Sequence, residues 1–328
     1  MVLFWVSVIA LTALLYVLLD GFDLGVGILF LFSRNEANRR RMLAAISPVW
    51  DGNETWMVLT GTILFGAFPK AFGLILSAFY LPVIIGVCAL ILRGVAFEFR
   101  HNARASRPFW DAAFAGGSLV ATLVQGIAIG SLVQGVPVRA GEYAGGLFSW
   151  LTPFSFLCGL GLCVGYALLG AGWIVLKSEG ALRDAGYKLI PWLMAGVLIF
   201  LAVAFASALA LHVVILQRWI HRPYLAIFPA IGVLAVIGVL HGVWSRRDHQ
   251  PYLMATAIFA AAFVTLAASL WPYIIPFSLT VTQAASPLSS LTFMAWGAGF
   301  IALPLLLSYT GGAYRVFRGK VLESGSYE

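Results

Sequence analysis

Charge is scarce in this chain of 328 residues: 10% are Asp, Glu, Lys or Arg, against 61% hydrophobic residues. That balance excludes a soluble domain, and apolar stretches of about 20 residues, the length a bilayer core demands, run from end to end. Short alternating segments, the mark of a membrane barrel, are lacking, so the expected fold is all-α and polytopic. Cysteine is also rare. Cys88, Cys158 and Cys163 lie inside apolar runs with no Cys-x-x-Cys pair, which excludes a disulfide framework and reads as core packing. There is no basic n-region before a short apolar core, so no cleavable signal peptide is expected. Nor is there a serine nucleophile elbow or a phosphate-binding glycine loop.

Histidine is sparse as well, with five in all. His212 falls near the outer end of its helix and His241 near the inner end of the next, so the two cannot ligate one iron between them. A single axial histidine is left open. His101, His221 and His249 fall in loops, and no His/Cys/Asp spacing suits a metal. The expectation is a chain that ligates no cofactor or metal and has no catalytic residues of its own.

What is present is a series of apolar segments, nine by count: 3–32, 50–68, 72–97, 110–134, 150–176, 188–216, 223–244, 251–275 and 289–314. No segment between them is long enough to fold alone, so residues 1–328 read as a single transmembrane domain. One set of loops carries 15 Lys and Arg, from Arg34 to Lys320; the alternate set carries four, Lys70, Arg139, Arg218 and Arg222. The positive-inside rule then puts the N-terminus outside and the C-terminus in the cytoplasm. The net charge of +7 is topology and lipid contact, with no nucleic-acid partner implied. Tryptophans near predicted boundaries (Trp5, Trp150 and Trp271 outside; Trp50, Trp110, Trp173 and Trp244 inside) read as interfacial anchors.

The few charges inside apolar runs are the informative residues. Asp20 and Asp23 interrupt the first run, Asp51 and Glu54 open the second, and Arg93, Glu98 and Arg100 close the third. Charges at membrane depth cost at least about 2.5–3.5 kcal/mol each, so they are paired, wetted or functional. Asp20 lies roughly 25 Å into the first helix, past the midplane, so all three groups reach the same cytoplasmic half. Asp20 and Asp23, spaced i, i+3, share a face, and Gly21 and Gly25 let another helix approach there. Two readings stay open for these acids: a register-fixing pair held by Arg93 or backbone, and a proton or water path. Ser47-Pro48 looks like a helix start, and the helix dipole alone accounts for Asp51. It accounts less well for Glu54, one turn deeper between Trp50 and Trp56, where lost hydration penalises a charged carboxylate.

The motifs Asp20-Gly-Phe-Asp-Leu-Gly-Val-Gly27, Trp50-Asp-Gly-Asn-Glu-Thr-Trp56 and Arg93-Gly-Val-Ala-Phe-Glu-Phe-Arg100 resemble those of subunit II of the cytochrome bd-type quinol oxidases. Gln134-Gly-Val-Pro137 and the tail Arg315-Val-Phe-Arg-Gly-Lys320 look like further family positions, spread over nearly the whole length. Gly172-Trp-Ile-Val-Leu-Lys-Ser-Glu-Gly180 with Pro272-Tyr-Ile-Ile-Pro276 is similar to the cyanide-insensitive branch. The short turn 217–223 departs from members with a longer loop, and nothing is carried over from that loop.

The resemblance implies two four-helix bundles plus a peripheral helix, in a heterodimer with a haem-bearing subunit I. It implies that haems b and d and the quinol-binding loop belong to subunit I, and that a small accessory membrane subunit and a structural quinone accompany some members. It implies a bacterial or archaeal cytoplasmic (inner) membrane protein that stabilises subunit I and conducts protons from the cytoplasm to O2 reduction. Asp51 then matches the family's proton entrance, while the slot of Glu54 can hold another polar residue in the family. On the residues' own proton reading, Asp51 passes protons inward through Glu54 or the Asp20/Asp23 pair, with Arg93, Glu98 and Arg100 as charge balance. A proton-coupled membrane transporter using the same acids is the alternative, although no matching pair of broken helices marks two halves.

Overall fold

A computed structural model describes residues 1–211 and 219–321 of the chain. Eight of its helices are long and apolar enough to cross a membrane. The chain is a multi-pass membrane protein. The elements run α1 (Val2–Phe30), α2 (Glu36–Ile46), α3 (Trp50–Ala67), α4 (Pro69–Asn102), α5 (Arg107–Gln134), α6 (Pro153–Lys177) and α7 (Gly180–Leu211). After these come α8 (Ile227–Trp244), α9 (His249–Leu270), the short α10 (Val281–Ala284), α11 (Leu288–Met294) and α12 (Leu303–Val316). A π-helical stretch, Ala295–Ala302, joins the last two into one continuous rod. The remaining expected segment, 50–68, is α3, which is 18 residues long and carries two acids near its start.

Lipid offers helices no hydrophobic drive towards one another, so close packing must supply it. Small residues make that packing possible here. A Cβ on Gly25 would lie 1.8 Å from the Tyr166 carbonyl oxygen, and one on Gly170 would lie 2.5 Å from the Gly25 carbonyl carbon. Backbones of α1 and α6 therefore touch where the spacing of Gly21 and Gly25 predicts a close approach. Likewise, Gly126 and Gly130 of α5 meet α6 backbone and side-chain atoms at Cys158, which leaves that thiol a packing role.

Through these contacts α1 packs on α3, α5 and α6, α4 lies on α5, and α6 carries α7 and α9, with α8 on α9. Two groups of four helices result, α1/α3/α4/α5 and α6–α9, joined along the α1–α6 and α5–α6 seams. The rod α11–α12 lies outside them, beside α3. In α4, Phe79 departs from helical geometry (φ −119°, ψ 20°) three residues before Pro82, whose ring and missing N–H break the ladder at that turn.

Three expectations need correction. Ser47 caps the C-terminal end of α2, and α3 starts after Val49 without a side-chain cap, because the chain turns between two helices where the sequence suggested only a loop. That helix, α2, starts at an N-cap Asn35 whose side chain accepts from Ala37 and Asn38. Of the tryptophans read as interfacial anchors, Trp5, Trp150 and Trp173 are buried within the chain. Each indole N–H donates to a backbone carbonyl, of Leu291, Leu147 and Ala45 respectively, so Trp5 and Trp173 tie distant elements together while Trp150 closes a local turn. Trp244, 88% exposed, keeps the surface position.

Candidate functional site: a buried carboxylate cluster around one arginine

The first four-helix group encloses a charged centre. Arg93 of α4 is 1% exposed, and its Nη1 lies 3.3 Å from Asp20 Oδ1 of α1 and 3.3 Å from Glu54 Oε1 of α3. Gly117 of α5 clears the space: a Cβ there would come within 2.7 Å of the Ala89 carbonyl and 3.1 Å of Arg93 Cβ. The guanidinium also lies 5.8 Å from the ring of Trp50, within cation–π range.

Asp23, fully buried, accepts 2.7 Å from Asn53 Nδ2. The same Nδ2 reaches the Leu19 carbonyl at 3.3 Å, and Asn53 Oδ1 accepts from the Tyr314 hydroxyl at 2.9 Å. Thus α1, α3, α4 and α12 each supply a polar group, while Phe22, between the two aspartates, stacks on Trp173 with centroids 4.0 Å apart. On the far side, Tyr16 stands one turn before Asp20 and accepts from Gln125 Nε2 of α5 at 2.5 Å.

The sequence-selected residues divide clearly. Asp20, Glu54 and Arg93 make one contact group, with Asp23 adjoining through Asn53. Asp51 is exposed in the first turn of α3, and Glu98 is exposed on α4. Arg100 belongs to a second cluster, hydrogen-bonded to Asp111 through Nε and 2.9 Å from Glu36 through Nη2. Arg39 reaches Asp111 at 2.7 Å, and Arg40 and Arg107 approach Glu36 at 3.1 and 3.5 Å. Burial raises the Glu36 carboxyl, but hydrogen bonds and charge from Arg40, Arg100 and Arg107 outweigh it and hold Glu36 below its ordinary range. Asn53, Tyr314, Tyr16 and Gln125 escaped the sequence reading, because a neutral polar residue inside an apolar run gives little signal until its neighbours are known.

Members of this cluster are chemically suited to holding and passing protons. With everything ionised, three carboxyls face one guanidinium. Glu54, with its side chain 23% exposed, is the least buried of them and the natural point of access.

The family pattern of cytochrome bd terminal oxidase subunit II matches residues 1–317. The chain belongs to that family. Relatives of this subunit II include cytochrome bd-I ubiquinol oxidase subunit 2 of Escherichia coli K12, 29% identical over 97% of this chain and 94% of that protein. Cytochrome bd ubiquinol oxidase subunit 2 of Bacillus subtilis is 30% identical over 97% of this chain and 96% of its own length. The fold matches a chain of the bd oxidase from Geobacillus thermodenitrificans with a TM-score of 0.80 at 17% identity, covering 96% and 98% of the two chains. Family membership favours the oxidase reading over the transporter.

A bd oxidase complex contains haem, whose iron takes one or two axial ligands such as histidine. Among them no group of three His, Cys, Asp or Glu converges as a metal site. His101, His221, His241 and His249 are all exposed, and Cys163 is packed against the Leu119 carbonyl. His212 lies outside the described residues.

Proposed function

We propose that this subunit II is the non-haem partner of a haem-bearing subunit I in a quinol:O2 terminal oxidase, and that it carries cytoplasmic protons towards O2 reduction. In this reading the chain is one transmembrane domain with its N-terminus outside and its C-terminus in the cytoplasm of a bacterial or archaeal cell. Haems b and d reside in subunit I. Asp51 collects protons at the aqueous end of α3, Glu54 receives them one turn deeper, and Asp20 and Asp23 hold them inside.

One observation carries the proposal: three carboxyls in contact with, or adjoining, a single guanidinium that is 1% exposed. Uncompensated buried charge is costly, so an excess of carboxylate over guanidinium is held in place by bound protons. Arg93 keeps the carboxyls oriented and prevents their mutual repulsion from opening the bundle.

The test is oxygen consumption per haem in the assembled complex. Asp51→Asn and Glu54→Gln keep size and most hydrogen bonding but cannot ionise. Both are expected to assemble with normal haem content and to turn over slowly, with Asp51→Glu retaining much of the activity. Full turnover in both Asp51→Asn and Glu54→Gln would return Asp51 to a helix-start role, worth about 0.3–1 kcal/mol of stability, and Glu54 to packing.

A further inference from the structure

Protons that reach Asp20 need a way out, and the geometry around Tyr16 supplies a direction. Asp20 spends Oδ1 on Arg93, while its Oδ2 is buried without a hydrogen-bond partner. Tyr16 stands one turn away on the same face of α1 and is 8% exposed. Its oxygen accepts from Gln125 Nε2 at 2.5 Å. Because that bond occupies one lone pair, the second lone pair and the hydroxyl proton remain for Asp20 and for a group on the opposite side.

Gln125 itself lines a groove between α4 and α5 with a volume of about 120 Å³. Its other walls include Val83, Val87, Leu90, Val124 and Ala128, and Val83 and Val87 are exposed on the outer face of the bundle. The Gln125 amide is the groove's polar side chain in an otherwise apolar lining. The groove has room for water, but Gln125 is the one polar residue among the described residues lining it, so a water held on its amide must take its remaining hydrogen bonds from other waters.

We infer that Tyr16, oriented by Gln125, relays protons from Asp20 to the α4–α5 groove, which is the outlet of the buried cluster. In the step, the Asp20 carboxyl gives its proton to the Tyr16 oxygen as Tyr16 gives its hydroxyl proton to a water held on Gln125. Asp20 ends as a carboxylate, Tyr16 stays neutral, and the water leaves as hydronium. Gln125 is a positioning residue, since its amide turns the hydroxyl without carrying the proton. This inference rests on the proton-path reading above and extends it by naming the exit.

The experiment compares Tyr16→Phe, Gln125→Leu and Glu54→Gln in the complete oxidase, reading haem content, oxygen consumption per haem and the solvent deuterium isotope effect. Tyr16→Phe is expected to keep haem content, lose turnover about tenfold, as for one hydrogen bond to a charged group, and show a larger isotope effect. Gln125→Leu should move both readouts in the same direction by less. Wild-type turnover and isotope effect in Tyr16→Phe beside a slow Glu54→Gln would overturn the relay while leaving the proton path intact. Normal turnover in Glu54→Gln as well would remove the path and the relay together. Haem loss in Tyr16→Phe and Gln125→Leu with normal turnover per remaining haem would make the pair structural and overturn the inference.

Discussion

Arg93 and Arg100 sit seven residues apart on one face of α4, both nearly fully buried, yet their surroundings are opposite in sign. Around Arg93 one guanidinium serves Asp20 and Glu54, with Asp23 beside them. Around Arg100 four arginines share two acids, Glu36 and Asp111. Surplus cations at a helix end tie α2, α4 and α5 together and suit an anionic lipid surface. Surplus carboxyls deep in the bundle suit proton binding. On the proposed proton path, the same residue type would serve chemistry at one turn of α4 and assembly two turns further on.

Removing each arginine tests this contrast, and Arg93 should have the larger effect. Arg93→Gln leaves Asp20 and Glu54 without their shared cation, and breaking a buried ion pair costs about 3–5 kcal/mol. The expected outcome is loss of assembled, haem-containing oxidase from the membrane. A normal yield with normal turnover would show that the acids do not depend on Arg93, and the contrast would collapse. In Arg100→Gln the acids keep other partners: Arg39 stays on Asp111, and Arg40 and Arg107 stay near Glu36. A thermal-stability loss of about 1.5–3 kcal/mol, as for hydrogen bonds to charged groups, should leave oxygen consumption per haem unchanged. Slowed turnover in the intact complex would place Arg100 in the proton path after all.

Much of the first cluster was legible before any coordinates. Counting 1.5 Å per residue along the first run puts Asp20 level with the start of the second and the end of the third, and Arg93 does meet Asp20 and Glu54. The helix-to-helix approach at Gly25 was legible for a similar reason, since small residues four apart let a second backbone come close. The second cluster was not. Arg100 looked like a partner for the same acids because Glu36 and Asp111 lay in stretches read as loop or boundary, and the polar helix α2 has no apolar run to announce it. Asn53 and Tyr314 were out of reach because their value comes from a meeting across 261 residues of chain. The tryptophans misled in a different way. An indole at a segment's end serves equally well at a lipid interface or as a donor to a buried carbonyl, and only the neighbouring helix decides between them.

The smallest expected effect concerns pH, and it sharpens the same contrast. Glu36 lies outside the spanning helices, in the first turn of α2, and its carboxyl is held below its ordinary range despite the penalty of burial. A carboxyl whose folded value is depressed binds protons more weakly folded than unfolded. Its stabilising contribution is thus complete above the ordinary glutamate range, and it fades as pH falls through the lower folded value. Acidification should therefore loosen the α2–α4–α5 end, because protonated Glu36 can no longer pair with Arg40, Arg100 and Arg107. Glu36→Gln removes the titrating group, so the variant should start slightly less stable near neutral pH and lose less on acidification. The measurement is thermal unfolding of the purified complex from neutral pH down to about pH 3, below the ordinary glutamate range, with the variant and wild type in parallel. Identical pH slopes would mean that solvent screening at this part-exposed carboxyl has already erased the effect. The arginine-rich end would then owe its order to Asp111 and to the rings beneath it, since the guanidinium carbons of Arg39 and Arg100 lie 4.9 and 5.3 Å from the centroid of Phe30.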